Sequence, residues 1–100
     1  YDHNYVLGRP GEKKIMANAY CRESGIALEA ETDCCGVQFY AGNFIGEQTG
    51  KGGASYHDRS AFCLESQFYP NAVNEPDFPS PVVKAGDTYH TETSYLFYLR

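Results

Sequence analysis

The sequence has no tryptophan, a single methionine, and only eight lysines and arginines among 100 residues. Those basic residues (Arg9, Lys13, Lys14, Arg22, Lys51, Arg59, Lys84 and Arg100) are scattered, and the formal net charge is −5. No basic stripe exists that could neutralise a run of phosphates, which excludes nucleic acid as the expected partner. No apolar run reaches the ~18 residues that a membrane-spanning helix needs, so no membrane partner is expected. No C-x-x-C pair is present, and no metal site is expected. Apolar residues at helical spacing are not sustained over any long window, and there is neither an internal repeat nor a low-complexity tract.

What is present is aromatic and strand-like. There are nine tyrosines and six phenylalanines, and apolar residues make up 42% of the chain. That usage belongs to a folded chain, and tyrosine favours half-buried β-structure with its hydroxyl at a wet edge. A chain of this length makes one domain or part of one. It opens on Tyr1 and on dense strand-like sequence, so we read residues 1–100 as a portion of a longer protein. The four cysteines (Cys21, Cys34, Cys35 and Cys63) are too sparse for a disulfide scaffold. They read as free thiols of a reducing compartment, hence a cytoplasmic protein.

Period-two alternation recurs along the chain. It predicts antiparallel neighbours at 15–21 and 26–32, joined by a short loop ending in Ser24-Gly25, with Ile15, Ala17 and Ala19 on one face. In the second of these, Ile26, Leu28 and Ala30 face opposite to Ala27, Glu29 and Glu31. Further strands are expected at 37–40, 62–67, 82–83 and 92–99. Glycine-rich 46–58 reads as an exposed loop. Residues 68–81, with Pro70, Pro76, Pro79 and Pro81, read as a rigid irregular crossing with one helical turn near 71–73. The class is all-β, and an antiparallel β-sandwich is the architecture that buries such one-sided sheets.

Three polar positions stand out. Glu65 interrupts an apolar strand and shares a face with Cys63 and Gln67, while Phe62, Leu64 and Ser66 take the other. Asp2 and Asn4 share a face from which His3 points away. Gln38 sits between Val37 and Phe39, and its amide can both donate and accept. Local pattern alone favours ordinary solvent-facing positions for Glu65 and Gln38, a structural hydrogen-bonding role for Asp2, His3 and Asn4, and surface positions for His57 and His90. Carboxylates, an amide and many aromatic faces are also what sugar recognition uses, and a Glu65 partly desolvated in a cleft would serve as a base near neutral pH.

Several segments together resemble one family. YDHNYVL at 1–7, SGIALEAETDCCGVQFYAGNF at 24–44, KGG at 51–53 and RSAFCLESQFYPNAVNEPDFPSPVVKAGDTY at 59–89 are similar in order and spacing to the C-terminal third of the aldose 1-epimerases, or galactose mutarotases. The resemblance implies the large antiparallel β-sandwich of that family, with this chain forming part of it. It places Glu65 on the catalytic base, and Asp2 and Gln38 on substrate contacts. It implies a hexose such as galactose or glucose as substrate, and no metal or organic cofactor. The family's general-acid histidine, a second active-site histidine and a substrate-binding arginine belong to the N-terminal two-thirds. His3, His57 and His90 do not occupy those positions, so the chain alone is expected to be a poor catalyst whose partner is that missing part. Cys34-Cys35, Ala61 and Ser66 depart from the family's pattern without removing the carboxylate. Two other readings remain: a non-catalytic carbohydrate-binding β-sandwich module, and a structural half that completes a sandwich around another polypeptide.

Overall fold

A computed structural model describes residues 1–100. Eight strands follow in chain order: β1 (Asp2–Val6), β2 (Lys14–Tyr20), β3 (Ile26–Thr32), β4 (Gly36–Tyr40), β5 (Gln48–Thr49), β6 (Ser55–Tyr56), β7 (Cys63–Gln67) and β8 (Thr93–Leu99). Two three-stranded sheets, β1-β4-β7 and β2-β3-β8, carry the architecture, and β5-β6 is a small separate ribbon. Every pairing is antiparallel. Short helical turns occupy Lys51–Gly53 and Ala72–Asn74. No helix is long and apolar enough to cross a membrane.

The alternation of side chains decides how the two sheets face each other. Residues opposite one another in an antiparallel pair share a face. In β1-β4-β7 one face therefore carries Tyr5, Val37, Phe39, Leu64 and Ser66. In β2-β3-β8 one face carries Leu28, Ala30, Thr32, Thr93 and Tyr95. These two faces meet. Ser66 Oγ lies 2.8 Å from Thr93 Oγ1, Thr93 Oγ1 lies 3.0 Å from Thr32 Oγ1, and the Tyr95 hydroxyl donates to the Leu64 carbonyl at 3.4 Å. The result is the sandwich layer expected from the sequence. The long connection 68–92 carries the chain from one sheet to the other.

The β2–β3 hairpin forms as expected, closed by the Cys21 N–H on the Ile26 carbonyl and the Gly25 N–H on the Cys21 carbonyl, both at 2.9 Å. One detail differs. A β-bulge falls between Ile15 and Ala17, so Ile15 pairs with Glu31 and Ala17 with Ala30. The extra residue, Met16, reverses the alternation, and Ile15 ends up exposed on the face opposite to Ala17 and Ala19. The strand expected at 82–83 is also absent. Val82 and Val83 are exposed and irregular. Pro79 and Pro81 carry no N–H to donate to a ladder, and the segment pairs with no strand of either sheet.

An ionic and hydroxyl cluster ties the end of β3 to the start of β8. Asp33 Oδ1 accepts from the Thr91 hydroxyl and from the Glu92 N–H at 2.9 Å, while Lys13 Nζ lies between Glu92 and Glu31. The Thr91 bond, then the Glu92 N–H, hold the Asp33 carboxyl below its ordinary range. A carboxylate of depressed pKa stabilises the fold above the ordinary carboxylate range, and that contribution is lost as pH falls through the lower folded value. Asp33→Asn is therefore expected to lower the thermal midpoint near neutral pH and to flatten its fall on acidification. An unchanged acid limb in a pH series of melting curves would contradict this.

Backbone crowding is sharpest at Gly42, where φ is +71° and an added Cβ would lie 2.3 Å from the Ala61 carbonyl oxygen. Gly42→Ala combines strained φ with a backbone clash, so a loss of about 2–4 kcal/mol is expected. Urea unfolding checks it, and a midpoint equal to the parent's would contradict it.

The sandwich is thinly covered. Only nine of 100 residues are buried, among them Ala27, Ala30, Thr32, Cys34, Cys35 and Val37. Phe44, Leu99 and Val6 are 86%, 81% and 73% exposed. The radius of gyration is 16.3 Å, against about 13 Å for a compact domain of 100 residues. All four cysteines are free.

Candidate functional site

The pairing of β1, β4 and β7 gathers the three singled-out polar residues. Asp2 stands opposite Tyr40, Asn4 opposite Gln38, and Gln38 opposite Glu65. The outer face of this sheet thus carries Asp2, Asn4, Tyr40, Gln38, Cys63, Glu65 and Gln67, turned away from β2-β3-β8. Asn4, Gln38 and Glu65 form a row across the three strands, which are spaced about 4.8 Å apart. Asp2 sits diagonally from Gln38 and is bonded to it: Gln38 Nε2 donates to Asp2 Oδ1 at 2.8 Å. A bond to a carboxylate is stronger than one between neutral groups. It fixes one oxygen of Asp2 and leaves the other to accept from a ligand hydroxyl.

Two buried atoms on this face lack partners, Asn4 Nδ2 and Gln38 Oε1. Leaving such a group unpaired costs about 1–3 kcal/mol. Gly36 makes room for the Asn4 amide, since a Cβ at Gly36 would meet Asn4 Nδ2 and Tyr69 Cδ1, each at 3.0 Å. Tyr69 packs edge-on against Phe78, with ring centroids 5.2 Å apart. At the other margin, the Tyr40 hydroxyl accepts from the Phe44 N–H at 2.8 Å and steadies the turn after β4.

Glu65 is exposed in these 100 residues. Tyr69 reaches this face beside Gly36 and Asn4, but the Glu65 side chain is left open to solvent. His3 lies on the opposite face, with its ring 5.9 Å from Tyr1. His57 and His90 lie outside the strands, both exposed. No three His, Cys, Asp or Glu side chains converge as metal ligands would.

A cavity of about 550 Å³ lies on the other side of this sheet. Ten of its eleven lining residues are hydrophobic, among them Tyr5, Met16, Phe39, Phe62 and Leu64. It offers almost nothing to bond hydroxyls, so it belongs to the interior of the sandwich, whereas the Asp2–Gln38–Glu65 face carries polar chemistry.

Sequence reasoning set Asn4 beside Asp2 in a hydrogen-bonding cluster but gave it no partner. Its placement opposite Gln38 is a long-range pairing that no local pattern displays.

Comparison with known proteins follows the same residues. The family model described as aldose 1-epimerase matches residues 1–96. The chain is 46% identical over 98 residues to the galactose mutarotase of Sus scrofa and 44% identical over 98 residues to that of Homo sapiens. It is 34% identical over 100 residues to the aldose 1-epimerase of Escherichia coli (strain K12). Each comparison covers 97% of this chain and 29% of the relative, so the chain spans under a third of the length of these curated relatives. With a match that runs from β1 into β8 and takes in Asp2, Gln38 and Glu65, this chain belongs to the aldose 1-epimerase family.

Proposed function

We propose that this chain is the C-terminal, base-bearing portion of an enzyme that interconverts the α and β anomers of a hexose such as galactose or glucose. The observation that carries the reading is the gathering of Asp2, Gln38 and Glu65 on one sheet face, with Gln38 already bonded to Asp2 at 2.8 Å. The names of the relatives, galactose mutarotase and aldose 1-epimerase, supply the reaction.

In this reading the sugar lies on the outer face of β1-β4-β7. The Glu65 carboxylate takes the proton from the anomeric C1 hydroxyl. As that oxygen becomes a carbonyl, the C1–O5 bond breaks and a general acid protonates O5. The open aldehyde turns about C1–C2. Attack of the O5 hydroxyl on the other side of the carbonyl, with both protons returned, gives the opposite anomer. Acid and base act on two oxygens of one ring, so both must be held in a single pocket. The acid, a histidine, is assigned to the part of the protein that precedes Tyr1, which also covers Glu65 and raises its basicity by excluding water. Asp2 and Gln38 hold hydroxyls and set the ring's orientation. The four free thiols favour a reducing compartment, and we place the enzyme in the cytoplasm.

The test is polarimetry on freshly dissolved α-galactose, comparing the complete enzyme with its Glu65→Gln variant. A competing reading, a non-catalytic sugar-binding module, predicts shifts of the Asp2 and Gln38 amide resonances when galactose is titrated into the chain alone. The epimerase reading expects no such shifts at low millimolar sugar.

A further inference from the structure

Two unpartnered polar atoms lie on the proposed sugar-binding face, and their chemistry is complementary. Gln38 commits Nε2 to Asp2, which leaves Oε1 buried without a donor. Asn4 stands directly opposite Gln38 in the β1–β4 register, and its Nδ2 is buried without an acceptor. Directly opposed side chains have Cβ atoms about 4.5–5.5 Å apart, well within reach of two amides. The Asn4 amide rests over Gly36, where a Cβ would lie 3.0 Å from Nδ2.

We propose that Asn4 is a positioning residue for this site: its Nδ2–H donates to Gln38 Oε1 when sugar is bound and thereby fixes which way round the Gln38 amide stands. The proposal rests on the reading of this face as the epimerase site. A glutamine amide has two orientations related by a half-turn. In one, Nε2–H meets the Asp2 carboxylate. In the other, Oε1 meets it, and two acceptors repel. A donor held on Oε1 selects the first. Asp2 then keeps one oxygen on Gln38 and presents the other to a sugar hydroxyl. The movement required is a rotation of the Asn4 side chain away from Gly36, driven by the pairing of two buried groups that are otherwise unsatisfied. Asn4 touches no reacting atom, so its effect falls on sugar binding more than on turnover.

The test is a double-mutant cycle in the complete enzyme with galactose, reading KM and kcat for Asn4→Ala, Gln38→Ala and the double variant. Asn4→Asp, which keeps the volume and removes the donor, is measured beside them, as is Glu65→Gln. Asn4→Ala and Asn4→Asp are each expected to raise KM about tenfold and to lower kcat by less than about threefold. In the Gln38→Ala background, Asn4→Ala is expected to change KM by less than about twofold, because the group it acts through is gone. A structural role alone gives the same factor in both backgrounds, and that result overturns the proposal. If circular dichroism shows Asn4→Ala unfolded, Asn4→Asp completes the cycle with Gln38→Ala and is read in the same way. If Glu65→Gln abolishes turnover while the cycle is additive, the site reading stands and the role of Asn4 falls. If Glu65→Gln turns over like the parent, both fall.

Discussion

Glu65→Gln in the complete enzyme is expected to lower the rate of mutarotation by about 10³-fold or more, within the range that loss of a general acid or base produces. Glutamine keeps the length, planarity and polar character of the side chain, so binding of the sugar changes little and KM stays close to the parent's. In the proposed mechanism it loses the ability to take a proton from the anomeric hydroxyl. Sheet packing is not at stake either, because the Glu65 side chain is exposed on the outer face of the sheet. Its neighbour Leu64, by contrast, lines the interior cavity. The rate is read as the change in optical rotation of fresh α-galactose above the spontaneous buffer rate. A variant within about tenfold of the parent would show that the proton goes elsewhere, since such a loss corresponds to only about 1.4 kcal/mol of barrier.

The second large effect concerns the chain by itself. Residues 1–100 alone are expected to show no mutarotation above buffer, and to associate in sedimentation experiments. The physical grounds are an exposed Glu65, histidines that do not share its face, and large side chains such as Phe44, Leu99, Phe97 and Val6 left in water. Exposed apolar surface of this kind marks an interaction site or an aggregation hazard. The outer edges of both sheets also present unpaired backbone groups. Adding the remainder of the polypeptide during refolding is expected to restore a monodisperse species and to raise activity by about 10³-fold, because acid and base then share one pocket. A monomeric and fully active 100-residue chain would contradict the account.

Much of this was legible in the sequence because a strand's period of two is a local signal. It set Glu65 apart from Leu64 and placed Asp2 with Asn4 and away from His3, and the observed registers agree. The strand expected at 92–99 also forms, as β8 paired with β3. What local pattern cannot carry is who pairs with whom. Asn4 meets Gln38, and Thr32 meets Thr93, across long stretches of chain. The Met16 bulge escaped for a related reason: it is defined by a mismatch against β3, and nothing in KIMANAY alone announces an extra residue. Val82-Val83 looked like a strand because β-branched residues favour extended backbone, yet extended backbone becomes a strand only when it pairs with another, and the neighbouring Pro79 and Pro81 supply no N–H for such a ladder. The functional assignment came from long matched segments. Glu65 by itself reads as an ordinary surface carboxylate, and its exposure in this chain is consistent with that local reading.

The most direct measurement is a crystal structure of the complete enzyme with galactose bound. The account predicts the sugar on the outer face of β1-β4-β7, with the C1 hydroxyl about 2.6–3.2 Å from the Glu65 carboxylate and ring hydroxyls bonded to Asp2 and Gln38. A sugar bound elsewhere, or one whose C1 oxygen points away from Glu65, would contradict it.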